Sequence, residues 1–146
     1  MKTYSPTTSA SKAQVAVTIA LAWFIKNGYE VAIPFDHASS ADLLVRQTDK
    51  RTKNGSINWF SVQVKSFYGN TANLCRTTST GRSVYGIGEA DLFAAVDTNS
   101  GEVFVLSNTH DLPMRISKRR AAKSISPFVT LGRDDQDPRA VQLCLF

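Results

Sequence analysis

Ala13 to Ile25 contains no charged side chain, and this run constrains the fold more than any other stretch of the chain. It comes after Lys2 and Lys12, and so imitates the core of a signal peptide. Lys26-Asn27-Gly28 comes directly after it, however, with no small-residue cleavage site, and the run is well short of the ~20 residues that span a bilayer. A buried helix from Ser11 to Asn27 accounts for the pattern, with Gly28 at the place of a C-cap glycine. Its polar residues Ser11, Gln14 and Thr18 are spaced i, i+3, i+7 and form one narrow stripe. A helix apolar around most of its circumference is expected to pack between other elements, with the stripe facing somewhere polar.

Beyond the helix the chain reads as strands. Tyr29 to Phe35 is closed by the turn-rich Asp36 to Ser40, and Ala41 to Thr48 contains the apolar Leu43-Leu44-Val45. Asn54-Gly55 is a hairpin turn signal. Ser56 to Tyr68 is long and β-rich; its alternation puts Phe60, Val62 and Val64 on one face and Ser61, Gln63 and Lys65 on the other. Asn70 to Ser83 is too long for a tight turn and too polar for a core, which predicts a surface loop. Asp91 to Val96 and Glu102 to Leu106, joined by Asp97 to Gly101, predict a second hairpin, and Met114 to Ile125 a basic helix. Arg133 to Arg139 reads as a polar connector before the apolar Val141 to Phe146. No repeat or second domain is visible, so residues 1–146 are expected to form one domain, with residues 1–10 a loose Ser/Thr-rich start.

Hydrophobic residues make up 42% of the chain, which excludes wholesale disorder. Seventeen Lys and Arg against 12 Asp and Glu give a formal charge of +5, a field that suits a polyanionic partner. Cys75 and Cys144 lie far apart without metal-ligand spacing, which argues against a zinc site or a disulfide scaffold and suits a reducing cytoplasm.

The residues that carry chemistry sit on the long strand. Gln63 and Lys65 are two apart, so their side chains leave the same face. Asp42 starts the preceding strand and comes to lie beside them if the two strands pair. A carboxylate, an amide and an ammonium at one place suit phosphodiester hydrolysis. A hard cation takes oxygen ligands, activates a water and neutralises charge on the scissile phosphate. A neighbouring lysine orients or deprotonates that water.

The order of the helix, Gly28-Tyr29-Glu30-Val31-Ala32-Ile33-Pro34-Phe35, Ala41-Asp42-Leu43-Leu44-Val45 and Val62-Gln63-Val64-Lys65 resembles the PD-(D/E)xK nuclease superfamily. It is most similar to the branch that includes group I intron homing endonucleases, in which Gln stands where Asp or Glu is usual. Arg82-Ser83-Val84-Tyr85, Asp91-Leu92-Phe93-Ala94 and Gly101-Glu102-Val103-Phe104-Val105-Leu106 extend the likeness over roughly residues 11 to 107. The resemblance implies an α/β fold with a restriction-endonuclease-like core, a central mixed β-sheet flanked by helices. It implies cleavage of double-stranded DNA with Mg²⁺ (or Mn²⁺) by a homo-oligomer, a dimer or tetramer, away from any membrane. It also implies that Asp42 and Gln63 ligate metal, that the Val64 carbonyl reaches it, and that Lys65 orients the nucleophile. The first helix of such enzymes usually supplies a Glu; residues 9 to 29 contain no acid, and Gln14 is the nearest candidate. A junction-resolving or repair nuclease, or a DNA-binding protein without catalysis, are the alternatives on the same fold.

Basic residues are expected to meet the phosphate backbone. Arg115, Lys118, Arg119, Arg120 and Lys123 crowd the predicted second helix, with Arg115, Lys118 and Arg119 sharing a face. Arg46, Lys50, Arg51 and Lys53 surround the Asn54-Gly55 turn, where touching the duplex backbone and staying solvated are both open, and Arg76 and Arg82 flank Thr/Ser-rich residues 77 to 83, which contact the backbone or enter a groove. Glu89 and Asp91 read as turn or ion-pair residues.

Overall fold

The computed structural model describes residues 9–36, 41–47, 59–86, 89–109 and 111–125. The elements run α1 (Ser9–Lys26), β1 (Tyr29–Ala32), β2 (Leu43–Gln47), β3 (Phe60–Tyr68), β4 (Thr71–Asn73), β5 (Cys75–Thr78), β6 (Gly81–Val84), β7 (Leu92–Val96), β8 (Val103–Ser107), β9 (Arg115–Ser117) and α2 (Lys118–Lys123). The expected Asn54-Gly55 turn, the connector at 133–139, the stretch 141–146 and Cys144 lie outside the described residues.

The apolar run forms α1, and Gly28, at φ +84°, ends it. That left-handed backbone lets the Gly28 N–H donate to the Ile25 carbonyl, and glycine adopts it without a Cβ clash. β1, β2 and β3 form an antiparallel meander, β7 joins β3 in parallel from Val62↔Leu92 to Ser66↔Val96, and β8 closes antiparallel on β7. β4 pairs with the end of β3 and with β9, while β5 and β6 form a separate two-stranded ribbon. The sheet is therefore mixed, as expected.

Alternation divides β7 between two cores. Leu92, Ala94 and Val96 join Val62, Val64, Leu43, Val45 and the α1 residues Ala16, Ala20 and Phe24. Phe93 and Ala95 face the other way, with Phe67, Leu74, Leu106, Ile116 and the α2 residue Ala121. All five residues of β7 are buried, which is why its sequence is an unbroken apolar run. Complete burial of Phe24 or Phe93 is worth about 1.5–3 kcal/mol each.

Four expectations are corrected. First, α1 is not enclosed: Ala16, Ala20 and Phe24 are buried along one line, while Ala13, Gln14, Thr18, Ala22 and Ile25 are exposed. Second, the polar stretch Asn70 to Ser83 is no loop; it carries β4, β5 and most of β6. Third, the basic helix begins at Lys118 behind the Ser117 N-cap, and Arg115 belongs to β9, which β4 recruits into the sheet. β1 also ends earlier than predicted, before Pro34, whose ring leaves no N–H for a ladder. No described helix is long and apolar enough to cross a membrane.

Candidate active site

The last rung between β2 and β3 is Leu43↔Val62, and just beyond it the strands part. Asp42 stands at the fork. Its N–H donates to the Val62 carbonyl at 2.9 Å, and its Oδ2 accepts from the Val64 N–H at 2.8 Å. The carboxylate thus takes over where backbone pairing stops. Val62 and Val64 have the same parity, so the Val64 carbonyl points to this edge as well.

Oδ2 of Asp42 also accepts from Gln63 Nε2 at 2.8 Å, which fixes the amide's orientation, since the flipped amide would set oxygen against carboxylate. Gln63 Oε1 is left buried without a hydrogen-bond partner. A buried acceptor in that state costs about 1–3 kcal/mol. Burial pushes the Asp42 carboxyl up from its ordinary value; the Val64 N–H and the nearby Lys65 charge pull the other way without prevailing. An unsatisfied amide oxygen, a carboxylate lifted by desolvation and a carbonyl on the same edge form a hard-oxygen donor set, which fits a divalent cation. Among the described residues no group of three or more His, Cys, Asp or Glu is placed to hold a metal, and Asp42 is the one acid among those lining this site.

The fork opens into a cleft of about 920 Å³. Gln14 and Thr18 of α1 line it together with Asp42, Gln63, Val64 and Lys65; Arg76, Thr77 and Tyr85, from the ribbon and its end, line it too. Lys65 Nζ donates to the Cys75 carbonyl at 3.2 Å and to Tyr85 Oη at 3.0 Å. Arg76 stacks on the Tyr85 ring, 4.8 Å from its centre, and pairs with Glu89 at 3.0 Å. Lys12 sits 4.3 Å over the ring of Tyr68, another residue of the cleft wall.

The structure thus brings Gln14, Asp42, Gln63, Val64, Lys65 and Arg76 to one cleft. Among the described residues, the other basic residues expected to meet DNA lie elsewhere. Arg46 pairs with Glu30 at 2.7 Å and stacks on Trp59, and Arg82 is exposed on the ribbon opposite Thr77. Arg115 donates to Thr71 Oγ1, Arg120 to the Asp111 carbonyl, and Lys118 is engaged by Asp97. Arg119 and Lys123 are exposed on α2, a helix too short for the predicted face of Arg115, Lys118 and Arg119. Lys50, Arg51 and Lys53 lie outside the described residues. Glu89 forms an ion pair with Arg76 and accepts from the Gly86 N–H in the local turn, whereas Asp91 Oδ2 accepts from the Ser61 N–H of β3 at 2.8 Å, a contact 30 positions away and not a turn. Sequence reasoning gave no role to Tyr85, Lys12 or Tyr68. Only the repeated pairing of cations with aromatics hints at them, and that pairing appears once the chain is folded.

The sequence matches no protein-family model and no curated protein. The fold does match a solved structure, that of the bacterial homing endonuclease I-Ssp6803I, with a TM-score of 0.59 and 22% sequence identity over 75% of this chain and 77% of the other. At that identity the likeness establishes a shared fold: the chain has a homing-endonuclease-like fold.

Proposed function

We propose that this chain is a metal-dependent endonuclease of double-stranded DNA, built on a PD-(D/E)xK core with Gln63 and Lys65 as its Gln-x-Lys motif and intron homing as its role. The observation that carries the reading is the buried, unpartnered Gln63 Oε1 beside the Asp42 carboxylate. Asp42, Gln63 and the Val64 carbonyl would hold Mg²⁺ or Mn²⁺. When bound, such a cation acidifies a coordinated water and offsets charge building on a phosphate. Lys65 orients the attacking water, and Gln14, on the facing helix, positions it from the other wall. Arg76 and Arg82 give the cleft and the ribbon a positive field for the duplex backbone. Cutting both strands calls for two such clefts, hence a homo-oligomer, dimer or tetramer, with two-fold symmetry. A cytoplasmic setting agrees with the buried, unpaired Cys75 thiol.

One observation favours a second reading, a DNA-binding protein without catalysis: no acid from α1 joins Asp42, which lowers the charge available to a cation. Incubation of supercoiled plasmid with and without Mg²⁺ separates the two. The wild type is expected to cut only with Mg²⁺. Lys65→Ala is expected to lose cutting but keep its DNA affinity within about threefold, because one lysine adds little to a many-contact phosphate interface. DNA binding without cutting in the wild type establishes the second reading. Joint loss of binding and cutting in a folded Lys65→Ala removes Lys65 from the chemistry.

A further inference from the structure

We propose that Tyr85 is a positioning residue that holds the Lys65 ammonium away from Asp42, so that the carboxylate is available to a divalent cation. The inference rests on the metal-site reading of Asp42, Gln63 and Val64. A lysine sharing a cleft with a half-buried carboxylate tends to collapse onto it, since opposite charges a few ångströms apart attract strongly where water is partly excluded. Lys118 does this with Asp97 in the same molecule. Lys65 does not. Its ammonium is engaged by the Cys75 carbonyl at 3.2 Å and Tyr85 Oη at 3.0 Å, and it lies 4.9 Å from the centre of the Tyr85 ring.

Tyr85 is a firm post for this purpose. It is buried, and its ring meets Phe93 edge-on at 5.7 Å. Its carbonyl accepts from Asn108 Nδ2 at 3.1 Å, and the same Nδ2 donates to the Ala90 carbonyl at 2.8 Å. Cys75 and Tyr85 stand at the root of the ribbon, where Cys75 pairs with Val84, so both anchors of Lys65 belong to one rigid place. Without the post, the ammonium can turn to Asp42 and compete with a cation for the same oxygens.

Mn²⁺ titration of the full chain without DNA, followed by electron paramagnetic resonance, tests this independently of cleavage. Tyr85→Leu is expected to weaken Mn²⁺ binding about tenfold, and Tyr85→Phe, which keeps the ring and its packing, about threefold. Lys65→Met should bind Mn²⁺ at least as tightly as the wild type. In that background Tyr85→Leu should change the affinity less than twofold, because no ammonium is left to swing. Circular dichroism and Tm confirm folding; if Tyr85→Leu does not fold, Tyr85→Phe decides alone. Equal weakening with and without the Lys65 charge overturns the inference, since Tyr85 then only shapes the cleft. Unchanged affinity in the Tyr85 variants overturns it as well. A wild type that takes up no Mn²⁺ refutes the metal-site reading itself, and the inference falls with it.

Discussion

Asp42 and Asp97 are both carboxylates near a lysine, and the protein treats them in opposite ways. Asp97 is 6% exposed under a thin cover: Lys118 reaches its Oδ2, the Asn99 N–H donates to its Oδ1 at 3.0 Å, and Ser100 adds a further contact. Those partners, Lys118 foremost, hold its pKa down to about 2. Asp42 has fewer partners and keeps its lysine at a distance, so burial prevails and its pKa is raised. One site is satisfied by its own chain and ties the β7–β8 turn to the start of α2. The other is left wanting positive charge. The contrast agrees with the proposed role of Asp42 as a metal ligand, since ionisable groups with shifted pKa values gather at functional sites.

Asparagine at each position gives the largest expected difference. Asp42→Asn should lower Mg²⁺-dependent cleavage by roughly a thousandfold, about 4 kcal/mol of barrier, and at the same time raise Tm by about 2–4 °C as a desolvated charge is removed. Asp97→Asn should leave cleavage within twofold and cost about 1–3 kcal/mol of stability through the lost ion pair. Plasmid cleavage and thermal melts of both variants decide. Mg²⁺-dependent cutting retained by Asp42→Asn erases the distinction between the two sites.

The pH dependence should divide the same way, with a smaller effect. Asp97 has a depressed folded pKa, so its contribution is present above the unfolded value of 3.8 and is lost as pH falls toward about 2. Asp42 has a raised folded pKa, so protonation favours the fold; that benefit is present below 3.8 and is lost as pH rises through the raised value. Urea melts without divalent cation should therefore show Asp97→Asn losing less than the wild type between about pH 4 and 2. Asp42→Asn should gain on the wild type as pH rises above about 4. Parallel curves for all three proteins contradict the opposed pKa shifts.

The smallest change sharpens the comparison at Gln63. Gln63→Glu should still cut and should lower the Mg²⁺ concentration for half-maximal activity severalfold, because a second carboxylate supplies charge the site lacks. Without metal, the added negative charge should raise the Asp42 pKa further. Abolished activity would mean that the Gln63 N–H bond to Asp42 matters more than the ligand oxygen, since Glu has no such donor.

Much of the architecture was legible from pattern alone. The apolar run with Gly28, the alternation around Gln63 and Lys65, and the hairpin at Asp97 to Gly101 all appear in the fold where period and turn chemistry put them. The strands between Thr71 and Val84 were not legible, because they are short and mostly exposed and so lack a buried alternating face. Gly69-Asn70 is a two-residue hairpin signal that the polarity of the stretch concealed, and Thr71, Thr77 and Thr78 are β-branched. Arg115 to Ser117 looked helical because propensity cannot register the pairing with β4, a contact between residues more than 40 positions apart. At the site, types and spacing gave Asp42, Gln63 and Lys65 as a group. The Tyr85 post was hidden, because its partner lies 20 positions away on another element.

The parallel pairing of β3 with β7 has a consequence for how such a protein can diversify. After β4, between Asn73 and Leu92, the chain leaves the large sheet, makes the ribbon, and returns to pair with β3. The cost of closing such an excursion grows slowly with its length, by about 0.6 kcal/mol for each doubling. Its root is pinned where Cys75 and Tyr85 meet Lys65, while the tip at residues 78–81 is a turn whose strand ends are exposed. Residues inserted or exchanged at that tip leave the sheet register and the Lys65 anchors untouched. Descendants of this chain can therefore lengthen, shorten or rewrite the outreaching arm generation by generation, while the machinery at its base passes on unaltered.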